Sequence, residues 1–553
     1  MNRSLSSQWS TTLVTILRKL GIRHVAISPG YRNSSLVQAF TSDDQLSCYS
    51  FIDERTSAFF ALGSAKTTGI PTVIIGTSGT AVANFFPAIV EASLSSAPLI
   101  VITADRPREL VGIGENQTID QYKIFGNFVR SFVDIGLPKK NLKDLKKIVV
   151  DIYRLSSGLD HYASPPGPVH INCPYDMPIL DLPSSLEVNI DINNSPELKL
   201  KIINAAEPGP KPLIVCGCMH SFSNYKNIVE LAKHWNAPIF ADPTSQIKFS
   251  SSSSLIIGNY DLMLRNISIE PSLIVRFGNK PTSKTLNALL NKFKSRVITV
   301  GQYKQFNDDT DRYIQSSNRE FCLTQISRTN KNNNKSWLKL IFKNSVAIKA
   351  VIDKYKNDKV TEPLIYSEII NVLRKEDNLF IGSSMPIRDM DSYTAPSNKN
   401  IKVLSNRGAS GIDGLIASAC GMSVSSNKKN VLVLGDVSFS HDIGSLVDAA
   451  RLDIDLVIVI INNGGGNIFN QLPIEEHVKK SYKKFWLTNP NLDIETICRA
   501  FKYSYLKAET IIDFKESFVS ALSLKGLKVV EVSCNVSADN RFRKNILKEL
   551  SSF

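Results

Sequence analysis

Two glycine-flanked polar pairs stand 27 residues apart in the C-terminal third of the chain. Gly435-Asp436 follows the apolar run Val431-Leu432-Val433-Leu434, and Asn462-Asn463-Gly464-Gly465-Gly466 follows Leu456 to Ile461. Each run reads as a buried parallel strand, and open α/β sheets bind ligands at the carboxyl ends of such strands. A carboxylate, an amide oxygen and a backbone carbonyl are hard oxygen ligands suited to Mg²⁺. Asp436, Asn463 and the Gly465 carbonyl could therefore hold Mg²⁺, or Mn²⁺ in its place, against the oxygens of a diphosphate. The glycines would let the backbone approach those oxygens. Either pair alone is ordinary turn chemistry. Both together, each ending a buried strand, point to a metal–diphosphate site.

The elements that must position such a site alternate strand and helix along the chain. In the first third, His24–Ser28, Pro71–Ile75, Pro98–Thr103 and Val169–Asn172 read as strands, with helical spacing over Glu54–Thr68 and Thr80–Ser95. The apolar runs Pro212–Cys216, Ser272–Val275 and Val297–Val300 mark a second α/β region. Leu379–Ile381, Val403–Leu404, Val431–Leu434, Leu456–Ile461 and Val529–Val532 mark a third. This alternation predicts parallel sheets covered by helices on both faces, an α/β chain of three doubly wound domains. The boundaries predicted are 1–182, 197–328 and 362–553, with a polar linker over 182–196 and a connector with its helix over 329–361.

The 553 residues are long enough for three such cores, and 43% apolar with 21% charged residues excludes disorder, collagen or coiled coil as descriptions of the whole. Sixty-five Lys and Arg against 51 Asp and Glu give a net charge of +14, which suggests an anionic partner. A basic tail, zinc-finger spacing or an aromatic-basic RNA motif would point to nucleic acid, and none is present. Eight scattered cysteines form neither a CxxC nor a zinc pattern, so reduced thiols and a cytoplasmic location are expected. The short apolar run Leu13–Leu17, closed by Arg18-Lys19, does not read as a secretory signal. No run is long enough to span a membrane.

The Gly-Asp to Asn-Asn pattern resembles the fingerprint of the thiamine diphosphate-dependent enzymes. That family has pyrimidine-binding, central and diphosphate-binding α/β domains in this order. The resemblance implies a catalytic glutamate in the first domain, and Glu54 in Phe51-Ile52-Asp53-Glu54-Arg55 matches it. A carboxyl group bonded to the aminopyrimidine favours the imino form that removes the thiazolium C2 proton. Such a glutamate is expected to be buried with a raised pKa. By the same resemblance Thr77 and Gly79 (Gly76-Thr77-Ser78-Gly79-Thr80), Ser410, Ile412, Gly435 and Ile468 meet the cofactor, with Ile412 propping its bent form.

Further motifs go beyond that general family: Ser28-Pro29-Gly30-Tyr31-Arg32, Thr103-Ala104-Asp105-Arg106-Pro107, Gly114-Glu115-Asn116-Gln117 and Ser405-Asn406-Arg407-Gly408-Ala409-Ser410-Gly411-Ile412-Asp413-Gly414. Together they resemble the 2-succinyl-5-enolpyruvyl-6-hydroxy-3-cyclohexene-1-carboxylate synthase family. The resemblance implies decarboxylation of 2-oxoglutarate and 1,4-addition of the succinyl carbanion to isochorismate, on the way to menaquinone or phylloquinone. Both substrates are dianions, which suits arginines at strand ends. It implies that Ser384, Arg388 and Arg407 meet the succinyl end, and that Arg32, Arg106, Asn116 and Gln117 meet isochorismate. Phe469 and Leu472 would join Ile468 in an apolar wall, and Lys284 is a further substrate-binding candidate. Tyr31, Ser34-Ser35 and Thr285 depart from the family pattern of serine, Thr-Pro and arginine. The resemblance also implies a homodimer or homotetramer with active sites between subunits. The alternative is another thiamine diphosphate-dependent 2-oxoacid decarboxylase or an acetolactate-type synthase, whose pyruvate pocket would be apolar. A scaffold that has lost catalysis would not need Glu54, Asp436 and Asn463.

Overall fold

A computed structural model describes residues 5–552, apart from 140, 160–163, 177–203, 220–224, 334, 357–359, 472, 473 and 479. The linker expected over 182–196 and Leu472 therefore lie outside the described residues. Three six-stranded sheets organise the rest, and every strand pairing in them is parallel.

The first sheet holds β1 (His24–Ile27), β2 (Ser47–Ser50), β3 (Thr72–Gly76), β4 (Leu99–Asp105), β5 (Phe132–Asp134) and β6 (Pro168–Pro174), in the order β2-β1-β3-β4-β6-β5. The central sheet holds β7 (Pro212–Cys216), β8 (Ile239–Ala241), β9 (Ile256–Ile257), β10 (Leu273–Phe277), β11 (Val297–Gly301) and β12 (Tyr313–Gln315), in the order β12-β11-β10-β7-β8-β9. The third holds β13 (Asn378–Ile381), β14 (Lys402–Leu404), β15 (Asn430–Gly435), β16 (Leu456–Asn462), β17 (Ser504–Ala508) and β18 (Leu527–Ser533), in the order β14-β13-β15-β16-β18-β17.

The first and third sheets thus share one topology. In each, the third strand in chain order ends in a glycine: Gly76 pairs with Thr103, and Gly435 pairs with Ile461. Thr77 and Asp436, the next residues, stand at equivalent positions of two copies of one plan. The chain forms two compact units. One comprises Met1–Leu198, Asn406–Asn427 and His441–Ile454; the other comprises Lys199–Ser405, Lys428–Ser440 and Asp455–Phe553.

Central strands are apolar because both of their faces are covered. In β3, Val73 and Ile75 join a core with Leu13, Leu17 and Val149 of flanking helices, while Ile74 is buried on the opposite face. The helix Glu54–Thr68 begins where Asp53 accepts from the N–H groups of Arg55 (2.8 Å) and Thr56 (3.4 Å), and it ends at Gly69 with φ of 73°. Such an end is what a residue without a Cβ supplies. Within the same unit that helix crosses Leu415–Val424 so closely that Gly63 and Gly421 have no room for a Cβ.

The helical spacing over Thr80–Ser95 resolves into two helices, Thr80–Asn84 and Phe86–Ser95. Pro87 is the reason: it has no N–H, and its ring would clash with a carbonyl in the preceding turn. Six strands beyond those read from sequence are present, and β2, β5, β9, β12 and β17 are sheet edges, short or partly exposed. No helix among the described residues is long and apolar enough to cross a membrane. All eight cysteines are free.

Candidate active site

The strand ends of the first unit gather the N-terminal motifs. Gly30 lies against Thr77, where a Cβ would come within 2.6 Å of the threonine side chain. Gly79 has φ of 89° and faces Gln117, whose Cγ would stand 2.9 Å from a Cβ there, so a glycine is required on both counts. Gln117 Nε2 donates to the Ser78 carbonyl at 3.1 Å, and the Gly79 N–H donates to Gln121 Oε1 at 3.0 Å. The Arg106 guanidinium donates to the Asn116 carbonyl at 3.1 Å. Behind them, Asp105 accepts from Asn172 Nδ2 (2.8 Å) and from the Arg106 N–H (2.7 Å), and burial raises its pKa. Asn116 and Gln117 are exposed, while Arg32 is buried and donates to the carbonyls of Tyr175 and Asp176.

Three polar atoms of this region, Thr77 Oγ1, Arg32 Nε and Arg106 Nε, are buried without a hydrogen-bond partner among the described residues. Such groups are costly to leave unsatisfied in a finished core, and they are what a polar ligand would satisfy. Glu54 opens the helix Glu54–Thr68 and accepts from Asn84 Nδ2 at 3.4 Å. The full burial expected for it is not met within one chain. It is half-buried, because its position in the first turn of the helix leaves one side uncovered by residues of its own unit. Arg407, Ser410 and Ile412 belong to this unit too and are half-buried. Ser410 takes φ of 63°, rare for a residue with a side chain.

The second unit assembles the diphosphate motif. Asp436 is buried at the end of β15. One carboxylate oxygen accepts from the Gly465 N–H at 2.7 Å and the other from the Val437 N–H at 2.8 Å. Burial raises its pKa in spite of these bonds. Asn467 Nδ2 lies within hydrogen-bond distance of three oxygens: the Asn463 carbonyl (2.7 Å), Asn463 Oδ1 (3.0 Å) and the Gly465 carbonyl (3.3 Å). The side-chain and backbone oxygens of Asn463 and the Gly465 carbonyl thus face one neutral amide, and oxygens of these types are ligands a divalent cation accepts. No group of three or more His, Cys, Asp or Glu side chains with metal-binding geometry occurs among the described residues. The Asp436 carboxylate is tied to this loop through the Gly465 N–H. Asn463 Nδ2 donates to Glu362 at 3.3 Å. Glu362 is buried near Asp389, and these two causes push its pKa up to about 8, although Arg543 opposes them.

In the same unit a cavity of about 280 Å³ brings together Lys284, Arg388 and Ile468. Sequence reading missed Arg265, Gln471 and Arg543 in its wall. Arg543 is tied to Asp389 at 2.5 Å and Glu362 at 3.2 Å, and Arg265 to Asp261 at 2.9 Å. Neither arginine lies in a glycine-flanked turn, so no local signal marks it. Arg388 donates to the carbonyl of Ser384, four residues earlier, and Ser384 has φ of 74°. Thr285, where the family pattern has arginine, donates to Asp261 at 2.6 Å; Lys284 is exposed. Phe469 packs beside Gly466.

Residues 8–124 match the family described as "Thiamine pyrophosphate enzyme, N-terminal TPP binding domain", and residues 390–532 match its C-terminal TPP binding domain. Full-length relatives bear the name 2-succinyl-5-enolpyruvyl-6-hydroxy-3-cyclohexene-1-carboxylate synthase. That of Listeria innocua is 34% identical over 94% of this chain and 93% of its own length. That of Bacillus pumilus is 32% identical over 100% and 99%, and that of Halobacterium salinarum 31% over 97% of each. The chain belongs to the 2-succinyl-5-enolpyruvyl-6-hydroxy-3-cyclohexene-1-carboxylate synthase family. It is a thiamine diphosphate enzyme, with Glu54, Thr77 and Gly79 inside the matched N-terminal domain and Asp436, Asn463 and Gly465 inside the C-terminal one. The solved structure of a benzoylformate decarboxylase from Polynucleobacter necessarius has the same fold. Its TM-score is 0.72 at 16% identity, over 95% of this chain and 98% of that one. The synthase family thus places its chemistry on a fold it shares with a decarboxylase.

Proposed function

We propose that this synthase decarboxylates 2-oxoglutarate and adds the resulting succinyl unit to isochorismate. The products are 2-succinyl-5-enolpyruvyl-6-hydroxy-3-cyclohexene-1-carboxylate and CO₂, in menaquinone or phylloquinone biosynthesis. The observation that carries the reading is the buried Nε atoms of Arg32 and Arg106, without a hydrogen-bond partner among the described residues, at the strand ends of a unit that also presents Thr77 and Gly79. A dianionic substrate suits them, and an apolar pyruvate pocket does not.

When bound, thiamine diphosphate supplies the electron sink for decarboxylation of a 2-oxo acid. Asp436, Asn463 Oδ1 and the Gly465 carbonyl fit Mg²⁺ on its diphosphate, the glycines allowing close approach. In the first unit Ser410 and Ile412 would meet the cofactor, and in the second Gly435 and Ile468 would. Glu54 would hydrogen-bond the aminopyrimidine ring. In the second unit Arg388 and Ser384 would bind a carboxylate of the 2-oxo acid, with Lys284 at the cavity rim, and in the first unit Arg407 would bind one. Arg32, Arg106, Asn116 and Gln117 would orient isochorismate, and Phe469 would help exclude water. Residues 1–182 act as the pyrimidine-binding domain, 197–328 as the central domain, 329–361 as its connection and 362–553 as the diphosphate-binding domain.

The working form is at least a homodimer, in which a second copy covers Glu54. The half-burial of Glu54 supports this, as do the exposed apolar side chains of Tyr31 (66%), Ile52 (67%) and Ile113 (68%) in the first unit. Eight free cysteines suit a cytoplasmic location. CO₂ release from 2-oxoglutarate compared with pyruvate tests the reading: preference for 2-oxoglutarate is expected, and preference for pyruvate overturns it.

A further inference from the structure

Within the first unit a buried ion pair grips the loop that carries Arg407. Lys66 Nζ lies 2.8 Å from Glu91 Oε1, with the two side chains 1% and 3% exposed. The same Glu91 oxygen accepts from the Gly408 N–H at 2.9 Å, and its other oxygen accepts from the Ala409 N–H at 2.7 Å. Lys66 Nζ also donates to Asn406 Oδ1 at 2.9 Å, while Asn406 Nδ2 donates to Ser418 Oγ at 3.1 Å. Gly408 packs so closely on the helix Phe86–Ser95 that a Cβ there would stand 2.7 Å from the Ser95 nitrogen and 2.8 Å from the Glu91 carbonyl. Arg407 therefore stands between neighbours that this network fixes, the Asn406 side chain before it and the Gly408 and Ala409 backbone after it.

A buried lysine–glutamate pair is a weak source of stability, since desolvation offsets much of its attraction. Here both members also bond to one loop, Lys66 to the Asn406 side chain and Glu91 to the Gly408 and Ala409 N–H groups, which is how a supporting shell fixes a binding residue. We propose that Glu91, held by Lys66, is a positioning residue for substrate recognition. Its carboxylate sets the backbone of Gly408 and Ala409 so that the Arg407 guanidinium meets a carboxylate of the 2-oxo acid in one orientation. The inference rests on the reading of Arg407 given under Proposed function.

Glu91→Asp keeps the charge beside Lys66 but withdraws the carboxylate from the loop by one methylene. With the full chain, thiamine diphosphate and Mg²⁺, KM for 2-oxoglutarate should rise about tenfold or more while kcat changes little, as for loss of a charge-assisted bond. In an Arg407→Ala background the same change should raise KM no further, because Glu91 acts through Arg407. Amide exchange over 405–412, measured without substrate, should be faster in Glu91→Asp. If Glu91→Asp fails to fold, the neutral pair Lys66→Met/Glu91→Gln takes its place in the same cycle. Equal KM increases with and without Arg407, or no increase at all, overturn the inference. An Arg407→Ala variant with unchanged KM overturns instead the reading of Arg407 on which it stands.

Discussion

The Gly465 N–H donates to Asp436 Oδ2 at 2.7 Å, and so ties the residue after β15 to the loop after β16, its parallel neighbour. This bond fixes the position of the carboxylate and draws the Gly465 backbone toward it. The geometry predicts that Asp436→Ala weakens thiamine diphosphate binding at fixed Mg²⁺ by tenfold or more, about 1.4 kcal/mol. Calorimetric titration checks this. The same titration of wild type with a chelator present should lose most of the affinity; unchanged affinity in either case would put the metal site elsewhere.

Glu54 should be separable from binding. At the start of Glu54–Thr68 its carboxylate accepts only from Asn84 among the described residues, a bond that glutamine can also accept. Glu54→Gln is expected to bind thiamine diphosphate within about threefold of wild type. It is expected to lose on the order of 10²-fold or more in CO₂ release, as for removal of a general acid–base group. Full activity would remove Glu54 from the chemistry.

The two substrate ends should separate in kinetics. Arg388→Ala should raise KM for 2-oxoglutarate, and Arg106→Ala should raise it for isochorismate. Each effect is expected to be about 1.5–3 kcal/mol, the worth of a hydrogen bond to a charged group. Steady-state assays with one substrate saturating measure the split, and a crossed pattern would exchange the assignments.

How far the site could be read in advance depended on where each residue sits. Buried central strands such as β15 and β16 announce themselves as apolar runs, and the glycines after them mark the ligand end. Edge strands such as β2 (Ser47–Ser50) lack that signal because one side faces solvent. Pro87 breaks a helix whose apolar spacing runs straight through it. Glu91 and Arg543 were illegible for another reason: each is one polar residue in a helix, and only the fold brings it to Gly408 or to Asp389 and Glu362. The half-burial of Glu54 could not be read at all, because motif spacing does not say how far the rest of the fold covers the first turn of a helix.

Stability should depend on pH through His170. Its Nε2 lies 2.7 Å from Thr103 Oγ1, and burial lowers its pKa from 6.5 to about 3. The folded value lies below the unfolded one, so the stability gained by keeping the ring neutral is full above pH 6.5 and is lost as pH falls toward 3. His170→Gln removes this proton linkage. The stability of wild type relative to the variant should therefore fall with acidification, with a slope of up to about 1.4 kcal/mol per pH unit. Urea unfolding at several pH values checks it, and a difference independent of pH would contradict it.

Product identification tests the central claim most directly. The enzyme, loaded with thiamine diphosphate and Mg²⁺, is given 2-oxoglutarate and isochorismate, and the products are resolved by mass spectrometry. One CO₂ released per isochorismate consumed, with 2-succinyl-5-enolpyruvyl-6-hydroxy-3-cyclohexene-1-carboxylate formed, is the predicted result. CO₂ release that leaves isochorismate untouched, or turnover of pyruvate in preference to 2-oxoglutarate, would contradict it.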